Sequence, residues 1–249
     1  MQTKLHHIGG LAGPIIVFLH GYGADRFSWL AVAPMLQDIA RIYAIDLPGH
    51  GDAPDVAGEV TLKALADAVS EAAGSLNAPV YLVGHSLGCA VALTMVNQQP
   101  ARFCLLSLIS PAGFGSRIDS AFLTAFTELR EAETAQNLLE QMVTKPRHIT
   151  PAIVAHVLTS LDKTPDRRAG LEKIAAMLTG LAPFEDLESL KNCLTIWGQD
   201  DRIIAPQVSI LGTLLTGVGH VPQIEAASAV HRALRAQIMA DLISSSQRA

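Results

Sequence analysis

The stretch Val80-Tyr81-Leu82-Val83-Gly84-His85-Ser86-Leu87-Gly88 decides how this chain is read. Its opening residues form a short apolar run rich in Val and Leu, the pattern of a buried strand. The run ends in Gly-x-Ser-x-Gly, and Cys89 to Val96 continues with helix-compatible residues as far as Pro100. Strand, tight turn and helix in that order are the context of a nucleophile elbow. Such a turn is strained and brings backbones close together, which suits glycine at 84 and 88. Ser86 is then expected at a helix N-terminus with its hydroxyl exposed and amide N–H groups beside it. With glycine and serine each near 7% of residues, chance supplies this pentapeptide in roughly one chain in ten. The rest of the chain must therefore supply what a serine nucleophile needs.

Composition sets the outer bounds. The 249 residues are 49% hydrophobic and 16% charged, which excludes a disordered chain and suits one α/β domain. No apolar run approaches the roughly 18 residues of a membrane span. The N-terminal Met1-Gln2-Thr3-Lys4-Leu5-His6-His7 lacks a signal-peptide core, so a cytoplasmic protein is expected, with no membrane partner. A net charge of −5 without a Lys/Arg cluster argues against nucleic acid as a partner. Cys89, Cys104 and Cys193 are odd in number and far apart, each in an apolar stretch, and read as buried free thiols. No Cys/His spacing suggests zinc, and neither metal nor cofactor is expected.

Outward from the elbow, strands and helices alternate. Lys4–Ile8, Ile15–Leu19, Arg41–Ile45, Phe103–Ile109, Cys193–Trp197 and Thr213–Leu215 read as strands. Phe27 to Ile39 suits a helix. Thr61 reads as the N-cap of another, whose Leu62, Leu65, Ala66, Val69 and Ala73 share one face. Glu225 to Leu242 reads as the closing helix. This alternation predicts a mostly parallel sheet of about seven or eight strands covered on both faces. From about Gly115 to Pro183 it gives way to helical spacing over Phe122–Val143, Pro151–Leu161 and Leu171–Leu178, broken at Lys163–Arg168. The expected organisation is a core of residues 1–115 and 184–249, with 116–183 inserted as a helical lid over the sheet's C-terminal edge.

The loops after the strands carry the chemistry. His20-Gly21-Tyr22-Gly23 is a Gly-rich loop able to aim backbone N–H groups at an oxyanion. His20 itself reads as a structural hydrogen-bonder, and Asp46 as a cap for the turn Asp46-Leu47-Pro48-Gly49-His50-Gly51. A serine hydroxyl needs an adjacent base, itself oriented by a third group. In open α/β sheets active groups gather beyond the C-terminal strand ends. Three loops there hold the required types: Ser86, Asp200 or Asp201, and His220. Trp29, Phe122 and Phe126 read as core, with an acyl pocket as their alternative role.

With these residues in place, the chain resembles the α/β-hydrolase fold superfamily over nearly its full length. The likeness is carried by the two loops just quoted, by Gly84–Gly88, by Trp197-Gly198-Gln199-Asp200-Asp201 and by Gly219-His220-Val221-Pro222. It implies a Ser-Asp-His triad in that chain order. The superfamily's Trp-Gly-x-x-Asp pattern implies that the acid is Asp201, and the fold implies an oxyanion hole from the backbone N–H groups of Tyr22 and Leu87. Ser110–Gly115, Asp201–Ile204 and Gly219–Ala227 are further similar to the catalytic domain of the acetoin dehydrogenase acyltransferase component. In that group the domain follows a lipoyl domain. None is read here, so the chain is expected to act alone or on lipoamide supplied from elsewhere. Gln223 resembles the residue found after the histidine in hydrolases that cleave carbon–carbon bonds of ring-fission products. The chain between Ala205 and Thr213 is short for the usual helix and last strand, an expected source of displacement for His220.

The function expected is a serine hydrolase acting on a small-molecule ester or thioester. Acyl transfer to a lipoamide or CoA thiol is the alternative. A catalytically silent small-molecule-binding protein is the reading from a different class.

Overall fold

The computed structural model describes residues 3–114, 117–184, 193–207 and 212–247. Its centre is a seven-stranded sheet in the order β1-β3-β2-β4-β5-β6-β7. The strands are β1 (Leu5–Gly9), β2 (Ile15–Leu19), β3 (Arg41–Ile45), β4 (Val80–His85), β5 (Phe103–Ile109), β6 (Cys193–Gly198) and β7 (Thr213–Leu215). Only β1 runs antiparallel, against β3; every other pairing is parallel. Parallel strands buried on both faces require apolar residues in succession, and β2 and β4 are buried at every position.

The period of two sorts these residues onto two faces. Ile15, Val17, Leu19 and Leu82 face one apolar layer with α1 (Leu62–Ala72) and α2 (Leu87–Gln98). Ile16, Phe18, Tyr81 and Val83 face the other, with Trp29, Val32 and Leu36 and with Val230, Leu234 and Ile238 of the C-terminal helix. Each such Ile or Leu contributes about 1.5–3 kcal/mol by leaving water. Thr61 caps α1 by accepting the Ala64 N–H. Between β5 and β6 stand α3 (Ser120–Glu128), α4 (Ala132–Leu139), α5 (Pro151–Leu161) and α6 (Arg167–Thr179). Their apolar residues, Phe122, Leu139 and Ile174 among them, join the first layer. Residues 115–116 and 185–192, which adjoin both ends expected for the insertion, lie outside those described, as do 208–211 of the short connection before β7.

Several elements differ from their sequence reading, each for a local reason. The helix expected over Phe27–Ile39 is two 3-10 turns, Arg26–Trp29 and Ala33–Leu36. Pro34 cannot donate to a helical bond and its ring obstructs the preceding turn. The helix expected over Phe122–Val143 breaks between α3 and α4, where Leu129 turns extended and buries its side chain. Arg130 there covers the carbonyls of Thr127 and Leu129. The closing helix expected from Glu225 to Leu242 is α8 (Ala227–Ser246), which non-helical Ala226 (φ −135°, ψ 41°) separates from a preceding single turn, α7 (Pro222–Glu225). Cys104 is exposed and Cys193 half-buried; only Cys89 is buried. Cys104 falls in the register shift between the pairs Val80–Phe103 and Tyr81–Leu105, where the ladder skips it.

Candidate active site

The elbow is a strained turn held by its neighbours. Ser86 has φ 51° and ψ −115°, a conformation costing a non-glycine residue about 1–3 kcal/mol. Its N–H donates to the Ile109 carbonyl at 3.0 Å, and its carbonyl accepts from Cys89 at 3.0 Å and Ala112 at 3.3 Å. The turn therefore rests on the end of β5. Close approach explains the glycines. A Cβ on Gly84 would lie 2.7 Å from the Cys89 nitrogen, and one on Gly88 2.2 Å from the Leu19 carbonyl oxygen. The Ser86 side chain is not exposed as the motif suggested; the residue is 7% accessible.

The loop after β2 lies against the elbow. A Cβ on Gly21 would stand 2.7 Å from His85 Nδ1 and 3.2 Å from Ser86 Cβ. Neither the Tyr22 nor the Leu87 backbone N–H has a hydrogen-bond partner among the described residues. Against this loop lie α3 and α6. The Tyr22 hydroxyl lies 3.3 Å from the carbonyls of both Leu123 on α3 and Leu171 on α6. Phe126 packs on the open face of Gly23 (φ 70°), its ring centroid 5.5 Å from that of Tyr22. Burial, and then the charge of Glu172, push the pKa of the Tyr22 hydroxyl well above its ordinary value. Trp29 is remote in kind: it stacks on Phe18 across the other face of the sheet.

Asp201 and His220 come together beyond β6 and β7. His220 Nδ1 lies 2.8 Å from Asp201 Oδ2. Asp201 Oδ1 accepts the N–H groups of Ile203 and Ile204, both at 2.9 Å, and Oδ2 also accepts Trp197 Nε1–H at 3.0 Å. Burial alone would raise the pKa of Asp201. The neighbouring His220 and the donated hydrogen bonds outweigh it and hold the carboxyl below its ordinary value. Asp200 is exposed and accepts the Gly217 N–H instead. A Cβ on Gly198 would stand 2.1 Å from the Gly219 carbonyl oxygen, so β6 ends hard against the histidine loop. No hydrogen bond joins Ser86 Oγ to His220; what links the two loops is His85, whose Nε2–H donates to the His220 carbonyl at 2.8 Å. The two imidazole centroids are 5.0 Å apart.

Histidines 20, 50 and 85 are buried beneath this surface. His20 Nε2 accepts the Leu47 N–H at 2.9 Å, so its proton sits on Nδ1 and is donated to the Gly21 carbonyl. Burial pushes His50 and His85 down to about 3, with the nearby His20 and His220 respectively acting in the same direction. Asp46 caps its turn through the N–H groups of Arg26 and Asp52.

Two groups that the motifs did not single out also touch the histidine loop. The His220 N–H donates to the carbonyl of Met142, just after α4, at 2.7 Å, and the Glu225 carboxylate accepts the Gly219 N–H at 2.6 Å. The Met142 contact could not be found from spacing, because Met142 lies 78 residues before His220 in the chain. Among the described residues no group of three or more His, Cys, Asp or Glu side chains is placed to hold a metal ion. No helix among them is long and apolar enough to cross a membrane.

A strained serine after a central strand, with an Asp–His pair beyond later strands of the same sheet, defines a class. Residues 16–233 match the model of the alpha/beta hydrolase family, and the chain belongs to that family. The dihydrolipoyllysine-residue acetyltransferase component of the acetoin cleaving system of Pseudomonas putida is 30% identical over 241 residues. That match spans 92% of this chain but 64% of the relative. The pimeloyl-[acyl-carrier protein] methyl ester esterase of Methylococcus capsulatus is 39% identical over 97 residues, which are 39% of this chain and 37% of that one. Among solved structures, the 2-hydroxy-6-oxo-6-phenylhexa-2,4-dienoate hydrolase of a Rhodococcus strain superposes with a TM-score of 0.82 at 23% identity, covering 95% of this chain and 94% of that one.

Proposed function

We propose that this protein is a serine hydrolase that cleaves a small ester or thioester through an acyl-enzyme. The observation that carries the reading is the buried His220–Asp201 pair at 2.8 Å on the sheet edge that also holds the strained Ser86. Ser86 Oγ attacks the substrate carbonyl as His220 Nε2 takes its proton. Asp201 holds the proton of His220 on Nδ1, leaving the Nε2 lone pair free for that task, and stabilises the imidazolium that results. The unpaired N–H groups of Tyr22 and Leu87 receive the oxyanion. His220 then protonates the leaving alkoxide or thiolate, and a water molecule, deprotonated by the same imidazole, releases the acid and restores Ser86.

The insertion acts in this reading as a lid. Its apolar underside, with Phe122 and Phe126, favours an uncharged acyl group over a charged one. The P. putida relative supports a second reading in which a thiol replaces water as the acyl acceptor. An alkyl fluorophosphonate should label the wild-type protein and leave Ser86→Ala unlabelled; equal labelling of both would end the assignment. Incubation with acetyl-CoA and dihydrolipoamide separates the two readings, since hydrolysis yields acetate and transfer yields acetyl-dihydrolipoamide.

A further inference from the structure

Glu225 lies five residues beyond His220, on the single turn of α7. Its carboxylate divides its two oxygens between two parts of the molecule. Oε1 accepts from the insertion: the Thr144 N–H at 2.9 Å, the Thr144 hydroxyl at 2.8 Å and the Lys145 N–H at 3.3 Å. Oε2 accepts the Gly219 N–H at 2.6 Å, immediately before His220. The Thr144 hydroxyl also lies 2.7 Å from the Gly217 carbonyl, and the His220 N–H reaches the Met142 carbonyl at 2.7 Å. Packing is equally close, since a Cβ on Gly219 would stand 2.5 Å from the Met142 carbonyl oxygen. Residues 142–145 and 217–220 are thus one hydrogen-bonded unit with Glu225 at its centre.

We infer that Glu225 is a positioning residue for His220, clamping the histidine loop to the insertion so that the imidazole stays aligned with Asp201. The inference rests on the reading of His220 as the catalytic base. Glu225 touches no reacting atom; it acts through the backbone on either side of the base. A carboxylate is required because acceptors are needed on both sides. A glutamine of the same shape presents an N–H₂ to either the Thr144–Lys145 donors or the Gly219 N–H, and one side of the clamp is lost. A base displaced by about 1 Å costs on the order of 100-fold in rate.

The test compares wild type, Glu225→Gln, Thr144→Val and the double variant. It measures p-nitrophenyl acetate turnover, the rate of fluorophosphonate labelling at Ser86, the melting temperature, and the low-field proton resonance of His220 Nδ1–H. Glu225→Gln is expected to lower kcat by about 10- to 100-fold with little change in KM, and to shift or abolish the low-field resonance well below the melting temperature. Thr144→Val should have a smaller effect, and the double variant should be no worse than Glu225→Gln, because both break one clamp. Wild-type kcat together with an unchanged resonance in Glu225→Gln would overturn the inference, as would a rate loss that vanishes once the variant is assayed cold and fully folded. If Glu225→Gln does not fold, Thr144→Val decides in the same way by its kcat and resonance. If the wild type itself is not labelled at Ser86, the hydrolase reading fails separately. The resonance then judges the clamp alone: shifted or lost in Glu225→Gln supports it, and unchanged refutes it.

Discussion

His220 Nδ1 and Asp201 Oδ2 lie 2.8 Å apart, and that same carboxylate oxygen accepts the Trp197 Nε1–H at 3.0 Å. Every acceptor position of Asp201 facing the protein is therefore filled by a donor, two of them backbone N–H groups from Ile203 and Ile204. Such a carboxylate stays ionised even though it is buried, and it can hold only one tautomer of the histidine beside it.

Asp201→Asn tests that dependence. The amide fills the same space, but the Trp197 and His220 N–H donors compete for its single oxygen with Ile203 and Ile204. His220 is driven to carry its proton on Nε2, where, in the proposed mechanism, it can no longer accept one from Ser86. The expected loss in kcat is about 10³- to 10⁴-fold with little change in melting temperature. Ester turnover within about tenfold of wild type would remove Asp201 from the mechanism.

The glycines flanking Ser86 make a stability prediction with an internal control. Gly88→Ala places a methyl 2.2 Å from the Leu19 carbonyl oxygen, where only backbone movement relieves the clash. Gly58 has φ 73° and open space around its Cβ position, so Gly58→Ala meets only the left-handed backbone penalty of about 1–2 kcal/mol. Gly88→Ala should therefore unfold at clearly lower urea than Gly58→Ala. The reverse order would mean that β2 and α2 are not pressed together as described.

Much of this was legible in the sequence, and for identifiable reasons. Val80–Gly88 could be read because a buried strand, a strained turn and a helix N-terminus each leave a local mark. The strand bounds of β2, β3, β5 and β7 read from the sequence agree with the structure, β2 from a fully apolar run and the others from apolar-rich stretches. The break at Leu129 was not legible, since it depends on burying one leucine in a layer assembled from distant segments. Cys104 misled because an apolar strand was assumed to bury every residue, and a register shift is invisible without the partner strand. At the candidate site the sequence marked Ser86, His220 and an acid at 200 or 201, and the structure pairs His220 with Asp201 at 2.8 Å. The residues alone left Asp200 and Asp201 equal, and only the resemblance distinguished them. Glu225 could not be found, because its partners at 144, 145 and 219 are set by tertiary structure.

A buried cation ties α6 to the loop that follows β3. Arg167 on α6 is 2% accessible; its Nε donates to Asp55 at 2.7 Å, and its terminal nitrogens reach the carbonyls of Gly51 and Ala53. Arg167→Met removes the charge and leaves those carbonyls unpaired. Asp55 keeps its bond from Thr164 and is partly solvated, so the cost should fall at about 2–3 kcal/mol, below that of a wholly buried pair. For a chain of this size the melting temperature should drop by about 5–10 °C. An unchanged melting temperature would show that Arg167 does not secure α6 to the loop at 51–55.

His50 and His85 predict how stability responds to acid. Both are held near 3 in the folded state, first by burial and then by a neighbouring imidazole, whereas an exposed histidine titrates near 6.5. A depressed folded value means that the unfolded chain binds protons that the folded one cannot. The contribution of each ring is thus fully present above about pH 6.5 and is lost as pH falls towards 3. Within that window each ring should steepen the loss by about 1 kcal/mol per pH unit. His50 offers the cleaner test, since among the described residues its Nε2 has no partner and its Nδ1–H donates only to the Pro48 carbonyl at 3.0 Å. His50→Gln can keep that donor through its side-chain amide but cannot be protonated. It should be less stable than wild type at pH 7.5, and the gap should narrow as the pH is lowered to 5. Urea unfolding at both values measures it, and a gap that stays constant would mean that His50 is not held neutral in the fold.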